Sequence, residues 1–356
     1  MSKWDKIGNL AREIILYNHL ADRFKKIYFI TYGQTGEENK YRKLLKPNIE
    51  ILAKRISFLP NKLYSILIPF LYANIFKKVD ILKTNQMSSS LSAILTQLIF
   101  KNKLIVRCGY ELLRNYQLKN KTWIKIEYVR WLEKYAYMLA KQIIITSAEN
   151  KEFILNNFNV SSNKISVIYN YIDTSLFCPI EQIKKEENRL CYVGRLEKFK
   201  NVDNLIKAIS VLPAYLVIYG NGPEKNNLER LANKLKADVR FMGTVPNDKL
   251  PEELNKCSIF VLPSLFEGNP KVLLEAMSCA LACIGTNVEG IKNVISAGED
   301  GILCDTTIES IRASIVMLLE DKSMRELIGT RARETALIKY SLNNILNDEL
   351  HIYNSL

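Results

Sequence analysis

Two glutamates eight residues apart, Glu267 and Glu275, stand in the run SLFEGNPKVLLEAM (264–277), which otherwise has the composition of a protein core. The run follows IFVLP, which reads as a buried strand. Asn269-Pro270 reads as a helix start, because proline at a first helical position gives up only an N–H that would lack a partner there. One carboxylate therefore precedes a helix and the other falls in its second turn. Lys271 and Glu275, at i and i+4, could form an exposed pair worth about 0.3–0.5 kcal/mol. Against that, Val272, Ala276 and Cys279 flank Glu275, and a carboxylate among apolar groups needs firm partners to offset its desolvation. Sugar or ribose hydroxyls are suitable donors, and a phosphate is favoured beside the first N–H groups of a helix.

Two other turns carry groups that suit phosphate. In YVGRLEKFKN (192–201) a strand ends at Gly194, Arg195 and Lys200 follow, and a helix starts near Asn201. Arginine can clamp a diphosphate through its planar fork and lysine as a point charge, although the same residues also suit an ordinary solvated loop. In YGNGPEKNNLERLA (219–232) a strand runs into Gly220 and Gly222, with Pro223 opening a helix. Lys225 stands where the dinucleotide fingerprint has its third glycine, so this is either a tight strand–helix turn or a weak anion site.

Short β-branched runs supply the elements that position these turns: 26–33, 80–84, 103–108, 142–147 and 164–170, then 189–194, 215–220, 238–243, 257–263 and 281–286. Helical stretches such as 123–140, 202–212, 223–236, 307–320 and 322–338 lie between them, and this alternation implies parallel sheets covered by helices. Residues 1–173 carry 28 Lys+Arg against 13 Asp+Glu, whereas residues 174–356 carry 22 against 24. The 356 residues and the change in charge near 173–188 point to two doubly wound α/β domains with a cleft between them. The N-terminal one opens with a helix, so its usual first strand is expected to be missing.

Seven cysteines without a C-x-x-C read as reduced, packed thiols, and two distant histidines, His19 and His351, exclude a histidine-rich metal centre. No apolar run reaches the roughly 20 residues of a spanning helix, the nearest being 63–76 with Pro69 inside it.

Six segments in order, YNYIDTSLFCP (169–179), GRLEKFKN (194–201), YGNGP (219–223), FMGTVP (241–246), LPSLFEGNPKVLLEAM (262–277) and GTNVEGIKNVI (285–295), resemble retaining glycosyltransferases of family 4, the glycosyl transferases group 1. The resemblance implies the GT-B fold of two Rossmann-like domains: an acceptor-side domain over 1–173, a nucleotide-sugar domain over 174–339, and a C-terminal helix over 340–356 crossing back to the first. It implies that Arg195 and Lys200 bind the donor diphosphate and stabilise the leaving nucleotide, that Glu275 holds the ribose, and that Glu267 lies near the donor sugar. Gly194, Gly220, Gly222, Gly268, Asn269 and Pro270 match donor-binding turns. The expected reaction is sugar transfer from a nucleotide-sugar to a growing lipid-linked or oligosaccharide acceptor in surface-polysaccharide assembly, such as lipopolysaccharide or capsule. No metal cofactor is expected, since the chain has no D-x-D pair. A nucleotide-sugar epimerase of the same fold and an inactive binding or scaffold protein are the alternatives.

The N-terminal half departs from that family. Where a histidine is common it reads KTNQMSSS and VRCGYELL, leaving Asn85, Gln86 and Arg107 as acceptor-side substitutes. In 119–139 the stripe Ile124, Tyr128, Trp131, Tyr135 and Met138 has helical spacing and reads as core-facing, with Lys125 and Arg130 on the polar side. Together with 63–78, this basic half suits the anionic cytoplasmic face of a membrane. It carries no nucleic-acid motif.

Overall fold

Apolar β-branched runs become strands of a parallel sheet when both faces can be covered, and the chain forms twelve strands among the described residues. The computed structural model describes residues 1, 5, 10–109 and 112–356, apart from the side chains at 11, 12 and 118. Two compact units form, one holding Glu13–Tyr169 with Leu346–Leu356 and the other Asn170–Ile345.

In the first unit β1 (Ile27–Gln34) pairs in parallel with β2 (Ile49–Lys54). A separate parallel sheet contains β3 (Ile81–Lys83), β4 (Lys103–Cys108), β5 (Gln142–Ile145) and β6 (Ile165–Val167) in that order. The division into two sheets was not expected. The helix Leu10–Leu20 touches residues of both: Tyr17 packs edge-on against Phe29 of β1 at 4.7 Å, and its hydroxyl donates to Asn85 beyond β3. The sequence pattern also missed β2, whose run IEILAK is broken by Glu50 and Lys54.

The core of the four-stranded sheet corrects the reading of the aromatic stripe. Helix Trp123–Leu139 buries Val129, Leu132, Ala136 and Tyr137 and leaves Ile124, Tyr128, Trp131 and Met138 exposed, with Tyr135 half-buried. Two apolar stripes run along this helix. Buried Glu133 shows which one faces inward, because its Oε1 accepts the Leu112 and Leu113 N–H groups at 2.7 and 3.2 Å.

The second unit holds β7 (Arg189–Val193), β8 (Tyr215–Tyr219), β9 (Val239–Gly243), β10 (Ile259–Leu262), β11 (Ala282–Thr286) and β12 (Ile302–Cys304) in the order β12-β11-β10-β7-β8-β9. Every residue of β10 and β11 is buried. The chain winds outward from β7 through β9, then returns beside β7 as β10 and winds the other way. This is a doubly wound, Rossmann-like sheet with its direction reversed between β7 and β10, and ligands of such sheets bind at that reversal, outside the carboxyl ends of the strands. All seven cysteines are free, and all but Cys178 are buried.

The helix Leu342–Asn354 contributes Glu349 to a buried cluster of the first unit. Glu349 pairs with Lys83 at 2.6 Å and Arg107 at 3.6 Å and accepts from the Tyr353 hydroxyl at 3.2 Å. Burial alone would raise the Glu349 carboxyl, but Lys83 and Arg107 outweigh it and hold it below the ordinary glutamate range. Burial lowers Lys83. A depressed carboxyl contributes stability above the unfolded glutamate value, and this is lost as pH falls through its folded one. Glu349→Ala leaves Lys83 and Arg107 without that carboxylate and should cost about 3–5 kcal/mol. Chemical denaturation at neutral pH checks this; a loss below about 1 kcal/mol would show that the cluster does not hold the C-terminal helix.

Candidate functional site

At the reversal in the second unit, the loop after β7 meets the loop after β10. The β7–β8 pairing continues past the strands through Gly194 N–H to Tyr219 O at 2.9 Å and Leu196 N–H to Asn221 O at 3.0 Å. Gly220 makes this possible: it sits at φ +145°, and a Cβ there would lie 1.9 Å from the Gly194 carbonyl oxygen. Gly222 packs against the Leu196 carbonyl in the same way. The predicted glycines thus bring two backbones together.

Across the reversal the loops are stitched by backbone and amide bonds. Leu265 N–H donates to Phe199 O at 2.8 Å, and the Asn201 amide donates to Pro263 O and Thr306 O, both at 3.0 Å. The seam ends in an ion pair, Lys200 Nζ to Glu267 Oε1 at 2.6 Å, with side chains 16% and 10% exposed. Ser264 Oγ donates to the same oxygen at 2.7 Å. An ammonium has three donors, so Lys200 can hold Glu267 and still reach an anion.

Arg195 is differently placed. Its guanidinium is 74% exposed and contacts Glu197 at 2.7 Å. Exposed pairs of this kind are worth about 0–1 kcal/mol, so an incoming diphosphate can take the arginine at little cost. The turn beneath it is held by Tyr192, whose hydroxyl donates to Arg195 O at 3.1 Å. Burial, with Glu267 and Glu197 nearby, pushes this phenol up and keeps it a donor.

Gly268 lies in the turn before helix Lys271–Ser278, where Gly290 of the short helix Glu289–Lys292 presses on it. A Cβ on Gly290 would lie 2.2 Å from Gly268 O and 2.3 Å from Glu267 O. Asn269 is clamped to Asn170: its Oδ1 accepts the Asn170 N–H at 3.2 Å and its carbonyl accepts the Asn170 amide at 2.8 Å. Pro270 stands at the N-cap, one residue earlier than the sequence placed it, because its ψ of 105° is extended.

Glu275 is completely buried on a helix that also buries Leu273, Leu274, Ala276 and Met277, so its carboxylate is not an exposed surface group. Lys271 lies over the Tyr171 ring at 4.6 Å. Burial, together with the Glu275 carboxylate, pushes the nearby Cys279 thiol up. A ligand hydroxyl reaches Glu275 only when the atoms covering it move aside.

The three acceptor-side candidates lie in the first unit. Asn85 accepts from Tyr17 and Arg107 faces Glu349, while Gln86 is exposed. Sequence reasoning did not single out Ser264 or Asn201. The signal for Ser264 was its place three residues before Glu267 in SLFE, whereas the partners of Asn201 are far along the chain. The seam thus offers one exposed cation, one shielded cation and a carboxylate at a sheet reversal, a set suited to binding a diphosphate ester.

Comparison with known proteins identifies the family of the chain. Residues 15–176 match the family described as Glycosyltransferase Family 4, and residues 176–335 match Glycosyl transferases group 1. The chain is 32% identical over 210 residues to the N-acetyl-alpha-D-glucosaminyl L-malate synthase of Bacillus anthracis, covering 54% of this chain and 55% of that protein. It is 30% identical over 220 residues to the UDP-Gal:alpha-D-GlcNAc-diphosphoundecaprenol alpha-1,3-galactosyltransferase of Escherichia coli, covering 56% of each. The matched region thus spans little more than half the length of these curated relatives. In fold it is similar to Anabaena HepE, solved in complex with UDP and glucose, with a TM-score of 0.79 at 16% identity over 96% of this chain and 95% of that one.

Gly290→Ala drives a methyl group into the Glu267–Gly268 backbone, and overpacking of this kind should destabilise the protein by about 1–3 kcal/mol. Thermal unfolding of the variant reads the effect; an unchanged midpoint would show that the turn does not depend on this contact.

Proposed function

The chain belongs to the glycosyl transferases group 1 of glycosyltransferase family 4, the two matches together spanning residues 15–335, and from that footing we propose that it is a retaining, metal-independent glycosyltransferase. It moves a sugar from a nucleotide-sugar to a growing, lipid-linked glycan in surface-polysaccharide assembly, working as a peripheral protein at the cytoplasmic face of the membrane. The observation that carries this reading is the seam at the sheet reversal, where the loop after β7 carries exposed Arg195 and the Lys200 that pairs with Glu267 of the loop after β10.

Lys200, already held in place, and Arg195, which leaves Glu197 for the ligand, stabilise the charge that gathers on the diphosphate as the sugar–phosphate bond breaks. The N-terminus of helix Lys271–Ser278 adds its N–H groups. Glu267, oriented by Lys200 and Ser264, lies at the donor sugar, and Glu275 takes the ribose once the atoms covering it move aside. Gly194, Gly220, Gly222, Gly268, Asn269 and Pro270 shape the donor turns. Asn85, Gln86 and Arg107 serve the acceptor. A UDP-Gal donor and a diphosphoundecaprenol acceptor for the Escherichia coli relative, and bound UDP with glucose in Anabaena HepE, support the two substrate classes.

The test is transfer from labelled UDP-, GDP- and ADP-sugars to a polyprenyl-diphosphate-linked acceptor, with and without chelator. The expected product keeps the donor's anomeric configuration by NMR and forms at the same rate in chelator. Inversion, or a rate abolished by chelation, would contradict the retaining or metal-free claim. Interconversion of the donor without acceptor would identify an epimerase. Binding without turnover would leave a scaffold.

A further inference from the structure

Helix Trp123–Leu139 turns the wrong stripe outward for a protein free in water. Trp123 is 72% exposed, and Ile124, Tyr128 and Trp131 continue the exposed stripe along the helix. Helix Asn61–Leu71 does the same with Leu63, Ile66 and Phe70, spaced i, i+3 and i+7, the last 67% exposed. Helix Ser90–Phe100 packs against both of them and exposes Leu98 and Ile99. The stripes join directly, because Lys62 of the Asn61–Leu71 helix lies over the Tyr128 ring at 5.3 Å. Scattered exposed apolar residues need no explanation, but a continuous face across three adjacent helices marks an interaction surface.

Charge selects the occupant. Lys62, Lys121, Lys125, Arg130 and Lys134 are exposed within or beside the aromatic stripes, and the exposed acid of the Trp123–Leu139 helix, Glu127, is already paired with Arg130 at 3.1 Å. The surrounding residues 1–173 carry 28 cationic against 13 acidic side chains. A second copy of the chain would bring this basic face against itself, since a twofold interface is self-complementary. Anionic lipid headgroups meet the lysines, while tryptophan, tyrosine and phenylalanine enter the interfacial layer.

We propose that the face formed by helices Asn61–Leu71, Ser90–Phe100 and Trp123–Leu139 docks on the surface of an anionic lipid bilayer. This deepens the proposed function, resting on it for a lipid-linked acceptor; the surface itself rests on exposure and charge. The aromatic side chains supply affinity by leaving water, and the lysines add attraction that salt screens.

The full chain is floated with vesicles of phosphatidylcholine alone or containing phosphatidylglycerol at about one third, the composition being chosen to give a strongly negative surface. The wild type should float with the anionic vesicles and far less with the neutral ones, and release in high salt. Phe70→Glu with Trp123→Glu should reduce the bound fraction by roughly tenfold or more, since two exposed rings no longer enter the interface. Lys62→Glu with Lys125→Glu, which leaves the apolar residues untouched, should do so through charge alone. Both pairs should keep the wild-type circular dichroism and nucleotide binding. Wild type that fails to float, or variants that float equally, would overturn the proposal. So would a dimer in sedimentation that the same variants dissociate, which would assign the face to a second copy. Flotation without sugar transfer would remove the enzymatic reading and leave the surface standing. Transfer to a detergent-dispersed acceptor without flotation would remove the surface alone.

Discussion

An ammonium held 2.6 Å from a carboxylate, Lys200 against Glu267, spans the line where the sheet of the second unit reverses direction. The two residues come from loops that follow different strands, β7 and β10, so the pair fixes one loop against the other. Both side chains are largely shielded, and in such surroundings the loss of one partner leaves a charge whose desolvation is no longer offset. The rest of the seam serves that contact. Ser264 shares the carboxylate oxygen, Asn201 ties its own loop to Pro263, and Gly220 and Gly290 let backbones approach where a side chain would separate them. Arg195 stands outside this lattice with a weak partner, as a group should that must exchange its hydrogen bonds for those of a ligand.

The first unit solves a different problem with the same means. Its C-terminal segment is held by Glu349, a carboxylate buried between Lys83 and Arg107. Such a cluster contributes little net energy when complete and costs much when broken, so it serves to fix position. The same unit leaves aromatic side chains in water, an arrangement that costs free energy unless another phase covers them.

The turns of the second unit were legible because their chemistry is local. Glycine, proline and asparagine after β-branched runs announce where strands end, and Arg195, Lys200 and Glu267 stand in the loops that follow, with Glu275 in the helix after Glu267. What the sequence did not reveal depends on distant partners. Lys83 and Glu349 are 266 positions apart, and neither has a neighbour in sequence that hints at the other. The complete burial of Glu275 follows from packing around a helix, not from the flanking residues alone. The aromatic stripe of Trp123–Leu139 was read the wrong way round because periodicity shows that a helix has an apolar face without showing which of two faces meets the sheet. Buried Glu133 and its two backbone partners reveal that choice. β2 was missed because Glu50 and Lys54 interrupt its apolar run, and the short β12 was missed as well.

The central claim is that the cations at the sheet reversal bind a nucleoside diphosphate. Calorimetric titration of UDP, GDP and ADP into the wild type and Arg195→Ala tests it most directly, because the substitution removes an exposed side chain and leaves the core intact. One nucleotide should bind selectively, and the variant should bind it about tenfold or more weakly, since charge-assisted hydrogen bonds to phosphate are worth about 1.5–3 kcal/mol. No binding of any of the three, or equal binding by the folded variant, would contradict the account.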